Sequence, residues 1–331
     1  MRNKFVTITA ILLIMGVKLT IYTHAFEADT GEGKPDEAEN LLWIDHTHYY
    51  LSQKVCHIAL WFDRFFGDEC EVDESAKSIV KLTNAVGQSK NKKINYRSQF
   101  RAHFFLPNVN RRLRLMLVGE RGKDAFEKTE TSNKSSELAL LEEDDTEEVG
   151  LYSAALQWII QKSDNSNIDF NVSARFKEHI YPYAKGRYQR MIELSPRLLF
   201  RFSETLFWYE EEGFGGTTVL DFDQIMNYLT FFRLSSEATL LRADQGFDWI
   251  ERIEIYHQLS SHKAISAGVG IRNKTTPIIK REDLWIEMRF CQNIYQTWLF
   301  LEIIPSINWP RNENGKAIPG IIVKLEMLFG K

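Results

Sequence analysis

Residues 94–105 read INYRSQFRAHFF. Ile94, Tyr96, Ser98, Phe100, Ala102 and Phe104 alternate with Asn95, Arg97, Gln99, Arg101 and His103. A period of two is the period of a β-strand, whose successive side chains point to opposite faces. It is incompatible with a helix, which would scatter these residues around its whole circumference. Residues 167–177, NIDFNVSARFK, repeat the pattern: Ile168, Phe170, Val172, Ala174 and Phe176 against Asp169, Asn171, Ser173, Arg175 and Lys177. One face of each strand is therefore apolar and the other is charged.

The alternation continues to the end of the chain. It predicts about fourteen strands, near 77–84, 94–105, 111–118, 151–161, 167–177, 182–192, 197–209, 216–222, 228–240, 249–259, 263–272, 282–290, 295–304 and 319–329. Twelve strands result if 77–84 and 182–192 are not strands. Short polar links at 107–110, 163–166, 194–196, 223–227, 260–262 and 292–294 alternate with longer links. The longer ones lie at 85–93, 119–150, 178–181, 210–215, 241–248, 273–281 and 305–318. Short turns at one end and longer loops at the other belong to membrane barrels.

A soluble β-sandwich also alternates, with one buried and one wet face. Three features favour a barrel in a membrane. Arg and Glu recur in mid-strand on the polar face: Arg97, Arg101, Arg175, Arg201, Arg233, Glu237, Arg252, Glu254, Glu287, Arg289, Glu302, Lys324 and Glu326. A polar lumen pairs such charges across strands. Aromatics gather near predicted strand ends, including Phe104, Phe105, Trp158, Tyr183, Phe207, Trp208, Tyr209, Trp249, Trp285, Tyr295, Trp298, Trp309 and Phe329, where interfacial girdles need them. In lipid, finally, only closure satisfies every strand edge. The expected fold is an all-β, antiparallel up-and-down transmembrane barrel with an N-terminal amphipathic helix.

The N-terminus reads as an export signal: Arg2 and Lys4, an apolar run over 5–17, and Thr23-His24-Ala25 as the cleavage site. The whole chain carries 41 Lys+Arg and 45 Asp+Glu; without residues 1–25 it loses Arg2, Lys4 and Lys18 and becomes more acidic. This balance gives no argument for nucleic acid. Residues 26–40 are a polar lead-in. Over 41–70, Leu51, Val55, Ile58, Phe62 and Phe65 recur at helical spacing, which predicts a periplasmic helix. The barrel follows over 77–330, interrupted by the acidic loop 119–150. Cys56 and Cys70 are able to pair in an oxidising compartment, leaving Cys291 over, or all three are thiols.

No catalytic motif is visible: neither Gly-x-Ser-x-Gly nor His-Glu-x-x-His occurs. The strand histidines His103 and His257 have no Ser at suggestive spacing, so a lipid-acting hydrolase ranks third among functions. Asp45, His46, His48 and His57 are a surface polar cluster before a metal site. Residues 213–216, GFGG, read as a glycine-rich loop between strands. No cofactor and no metal are expected.

Several segments carry a resemblance: WIDHTHYYLSQKV, WFDRFFGDE, FLPNVNRRLRLMLVGE, FRFSETLFWYEEEGFGGTTVLDFD, FFRLSSEATL, RFCQNIYQTWLFLEIIPSINWP and the final VKLEMLFG. Over most of 43–330 the chain resembles a group of uncharacterised proteobacterial exported outer-membrane β-barrel proteins. That resemblance implies location and fold, and no activity. The final strand, with Val323, Leu325, Met327 and Phe329 on one face, also resembles the C-terminal signal read by the barrel-insertion machinery, although Gly330 and Lys331 follow Phe329.

The sequence thus leads to a non-enzymatic outer-membrane barrel. It is a narrow pore or transport protein with a charged lumen and a small solute, or a non-conducting structural or assembly-related envelope protein. Its surroundings would be outer-membrane lipid and lipopolysaccharide.

Overall fold

The computed structural model describes residues 78–330, apart from 91–93, 107–111, 122–149, 164, 177–178, 211–212, 242–245, 276–278 and 296–297. The proposed signal, lead-in and helix, with Asp45, His46, His48, His57, Cys56 and Cys70, lie outside the described residues, as does most of the acidic loop.

Fourteen strands form one closed antiparallel barrel in which every strand pairs with its chain neighbours and β1 pairs with β14. They are β1 (Ile79–Ser89), β2 (Asn95–Phe105), β3 (Leu113–Arg121), β4 (Gly150–Ser163), β5 (Ser166–Phe176), β6 (Ile180–Ser195) and β7 (Leu198–Tyr209). The second half comprises β8 (Gly213–Asn227), β9 (Thr230–Leu241), β10 (Gly246–Ser260), β11 (Lys263–Thr275), β12 (Ile279–Tyr295), β13 (Leu299–Asn308) and β14 (Ile318–Phe329). The doubtful segment 182–192 is the core of β6, one of the longer strands. A single 3₁₀ turn, Arg311–Glu313, lies between β13 and β14.

The closing seam runs Val80 to Phe329, Leu82 to Met327, Ala85 to Lys324 and Val86 to Val323. Closure removes the two edges that an open sheet would expose. Across the seam Ile321, Val323, Leu325, Met327 and Phe329 share the outer face, while Ile322, Lys324 and Glu326 point inward.

Many strands run further than their alternation suggests. Residues 223–227 and 292–294 are strand, in β8 and β12, and the links are 228–229 and 296–298. Asp223 looked like a turn residue because it is polar, but it faces inward opposite Arg233 and Leu199. Residues 85–89 also belong to β1. Ala85 is small where Arg97 and Lys324 flank it on either side, so no strong alternation marks the strand. Five links at the end holding Ile79 and Phe329 are tight: 164–165, 196–197, 228–229, 261–262 and 296–298. The sixth is 106–112. At the opposite end only 122–149 and 309–317 are long; the others are 90–94, 177–179, 210–212, 242–245 and 276–278. The loop asymmetry is real but smaller than the sequence suggested.

The glycine-rich reading of 213–216 is also corrected, because these residues open β8. Gly215 faces inward, where a Cβ would overlap the Phe207 ring. The aromatic assignment changes as well. Tyr183, Phe207, Tyr209 and Trp285 are buried and face the lumen, and Phe105 shares the inward face with Arg114. Proximity to a strand end says nothing about side; only register does. Trp158 and Phe329 are outward and exposed, and Trp298 stacks on Phe329 at 5.9 Å.

Trp285 is 3% exposed and lies over Gly270 of β11, its cross-strand partner. Any Cβ at Gly270 would overlap the indole. Gly270→Ala is therefore expected to destabilise the barrel by about 1–3 kcal/mol through overpacking. Urea unfolding in lipid vesicles measures this, and an unchanged midpoint would show that the indole swings aside freely.

Candidate functional site

Strand register places Arg97, Arg101, Arg175, Arg201, Arg233, Glu237, Arg252, Glu254, Glu287, Arg289, Glu302, Lys324 and Glu326 on the inner wall. Inside a closed barrel these side chains leave bulk water, so each charge needs a partner. The structure supplies partners mostly between neighbouring strands.

Two networks dominate. On β7–β9, Asp223 is 1% exposed and accepts a two-pronged contact from Arg233, Nε to Oδ1 at 2.7 Å and Nη2 to Oδ2 at 3.2 Å. Arg201 Nη2 lies 3.2 Å from Asp223 Oδ2 and 3.5 Å from Asp221 Oδ2. One strand on, Arg252 Nη2 donates to Glu237 Oε2 at 3.2 Å. Planar guanidinium forks suit such carboxylate pairing. On β12–β14, Arg289 is 1% exposed and bridges Glu287 at 3.2 Å and Glu302 at 3.3 Å. Glu302 also pairs with Lys324, and Glu326 pairs with Lys81 of β1 at 2.9 Å. This second network crosses the closing seam.

Beneath the charges, towards the tight-turn end, the inner wall is apolar. Phe231, Tyr256, Ala264 and Cys291 form a buried cluster joined by Ile225 and Phe300. Phe231 and Tyr256 stack at 4.5 Å with an interplanar angle of 3°, and the Arg233 guanidinium lies 5.1 Å and 5.5 Å from their centroids. Near the opposite end, Arg175 sits 4.9 Å from the Tyr183 centroid and 4.3 Å from that of Tyr209. These rings hold the cations by their negative faces.

Residues missed from sequence complete the inner wall. Lys81, Lys185, Arg187, Asp223, Arg272 and Asp283 all face inward. Arg187 pairs with Asp169 at 3.5 Å, and Asn171 donates to the same carboxylate at 3.1 Å. Lys185 and Arg187 were hidden because β6 alternates weakly: outward Gly186 and Arg190 blur the apolar face.

The inward charges are unevenly distributed. Among the described residues of β1–β6 the register directs Lys81, Arg97, Arg101, Arg114, Arg175, Lys185 and Arg187 inward, against Asp169 and the strand-end residue Glu193. On β7–β14, Arg201, Arg233, Arg252, Arg272, Lys274, Arg289 and Lys324 face a slightly larger number of carboxylates. These are Asp221, Asp223, Glu237, Asp248, Glu254, Asp283, Glu287, Glu302 and Glu326.

The outer wall is apolar, with exposed Phe100, Leu156, Val172, Leu206, Leu240, Ile253, Ile286 and Val323. Glu204 and Glu251 interrupt it. Glu204 accepts a hydrogen bond from Thr218 at 2.6 Å, and Glu251 lies opposite Ser236. His257 also faces outward, with Nδ1 2.8 Å from the Thr230 hydroxyl. So His257 does meet a hydroxyl, supplied by the neighbouring strand. Its other neighbour is Ile265, and no carboxylate orients the ring from that side. His103 faces inward on β2. Among the described residues no His, Cys, Asp and Glu are grouped to hold a metal.

No family model matches the sequence, and no curated protein is detectably similar to it. Solved structures similar to the chain include a bacterial polysaccharide outer membrane secretin, at 9% identity and a TM-score of 0.47, covering 78% of this chain and 100% of that one. An anion-selective porin from Comamonas acidovorans is 7% identical with a TM-score of 0.45, covering 76% and 98%. A loop-deletion mutant of the Vibrio cholerae outer membrane protein OmpT is 7% identical with a TM-score of 0.43, covering 77% and 100%. Likenesses this distant carry no argument about activity, and the barrel rests on its own strand pairing.

Proposed function

We propose that this chain is an outer-membrane barrel providing a narrow passage for a small polar solute. The observation that carries this reading is the inverted surface of a closed barrel. Its outer wall is apolar on strand after strand, and its inner wall is lined with Arg, Lys, Asp and Glu. A soluble barrel would turn the charges outward, whereas lipid demands this arrangement. The tight-turn end, which holds both Ile79 and Phe329, is the periplasmic end in this reading.

One observation favours the second reading, a non-conducting envelope protein. The inward polar side chains Arg97, Asp169, Asp223, Arg252, Glu254, Arg289 and Glu302 are all 1–8% exposed. Such burial favours a constricted lumen over a wide diffusion pore. Planar-bilayer recording separates the two readings. The expected result is small, discrete conductance steps from a protein that migrates anomalously on gels until boiled. A heat-modifiable barrel with no conductance establishes the second reading. A protein in the soluble fraction with no heat shift overturns both.

A further inference from the structure

Three oxygens on successive inward positions of β5 are buried and have no hydrogen-bond partner among the described residues: Asp169 Oδ2, Asn171 Oδ1 and Ser173 Oγ. Their residues are 1%, 8% and 5% exposed. No other described strand carries three such oxygens. Alternate residues of a strand stand about 7 Å apart on one face, so the three form a ladder up the lumen wall. The wall beside them is low: Ser173 lies next to Ala155 of β4, and Asn171 next to Gln157. Arg175, the next inward residue of β5, is drawn over the Tyr183 and Tyr209 rings. A buried oxygen that no protein group satisfies is satisfied by water or by a ligand.

The chemistry of the three oxygens selects the ligand. Asp169 Oδ2 and Asn171 Oδ1 only accept, whereas Ser173 Oγ both donates and accepts. An anion would bring acceptors where donors are needed. A cation would meet Arg187 and Lys185, which stand opposite Asp169 and Asn171 on β6. The charge of Asp169 is already matched by Arg187 at 3.5 Å. A neutral hydroxylated solute brings O–H donors and no charge. We infer that the β4–β6 wall carries a hydrogen-bonding track for neutral polyhydroxylated solutes, the class of sugar alcohols and monosaccharides. This inference rests on the passage proposed above and names its solute class. Water holds the ladder between solutes, and each solute hydroxyl replaces one water, so no buried oxygen is left bare. Several weak sites in series suit passage better than one strong one.

The test uses the full-length protein in lipid vesicles whose swelling reports solute entry. The probes are glycerol and glucose, with glucuronate and protonated glucosamine as charged analogues of glucose. Wild type is expected to admit the neutral probes faster than the charged ones. Asn171→Leu with Ser173→Ala should slow neutral entry by about threefold or more, through lost hydrogen bonds to the solute. Thr217→Val with Thr239→Val is the control, because those two hydroxyls already bond each other at 2.9 Å; it should leave entry unchanged. Heat-modifiable migration verifies that each variant folds, and Ser173→Ala alone is used if the double variant does not. Faster entry of a charged probe, or an equal response to the β5 variant and the control, overturns the inference while leaving the passage intact. Absence of entry by every probe removes the passage; calorimetric titration of the solubilised barrel with glucose then decides. Binding weakened in Ser173→Ala sustains the hydroxyl site, and unchanged or absent binding overturns it.

Discussion

Asp223→Ala is expected to destabilise the barrel by about 3–5 kcal/mol, the usual consequence of removing one partner from a buried ion pair. Asp223 is the shared acceptor of Arg233 and Arg201, and Arg233 is itself 5% exposed. Truncation leaves the Arg233 guanidinium facing Phe231 and Tyr256 with its strongest counter-charge gone. Asp221 still neighbours Arg201, so the uncompensated charge falls chiefly on Arg233. The control is a whole-pair replacement, Glu237→Leu with Arg252→Leu, which removes both charges of a neighbouring bridge. That variant should fold with stability close to wild type, because each carboxylate or guanidinium lost takes its desolvation penalty with it. Urea unfolding in lipid vesicles measures both. If Asp223→Ala costs less than the whole-pair variant, the lumen charges are solvated individually and the network has no collective role.

Phe329→Ser is the second large effect. Phe329 pairs with Val80 at the closing seam and stacks on Trp298 from β13's end of the barrel. Serine forfeits about 1.5–3 kcal/mol of apolar transfer, with about 0.5–1.5 kcal/mol more from the ring contact. The loss falls on the contact that joins the last strand to the first, so insertion should suffer more than equilibrium stability alone implies. The expected readout is accumulation of protein that shows no heat shift, while Phe329→Tyr inserts normally. Equal insertion of the serine and tyrosine variants would remove Phe329 from any role in assembly.

How much of this was legible in the sequence depends on what each strand shows the solvent on either side. In β2 and β5 most outer residues are large and apolar and most inner ones charged or polar, so INYRSQFRAHFF and NIDFNVSARFK revealed both the element and its two faces. The polar residues of 223–227 and 292–294 were misread as turns, since a lumen residue and a turn residue share composition. The same ambiguity hid Asp223, the most connected acid of the β7–β9 network. In β6, outward Gly186 and Arg190 weakened the pattern and concealed Lys185 and Arg187.

The sequence by itself determined the strands, the sidedness of most charges and the need for closure, because period-two alternation and backbone hydrogen bonding are local properties of the chain. Tertiary structure alone decided which charges meet. Arg289 reaches Glu302 across a strand boundary, and Lys81 reaches Glu326 across the closing seam, from opposite ends of the barrel sequence. It also decided that Tyr183, Phe207, Tyr209 and Trp285 fill the lumen rather than gird it. Register is set by the pairing of whole strands, and a slip of one residue would exchange every inward side chain for an outward one.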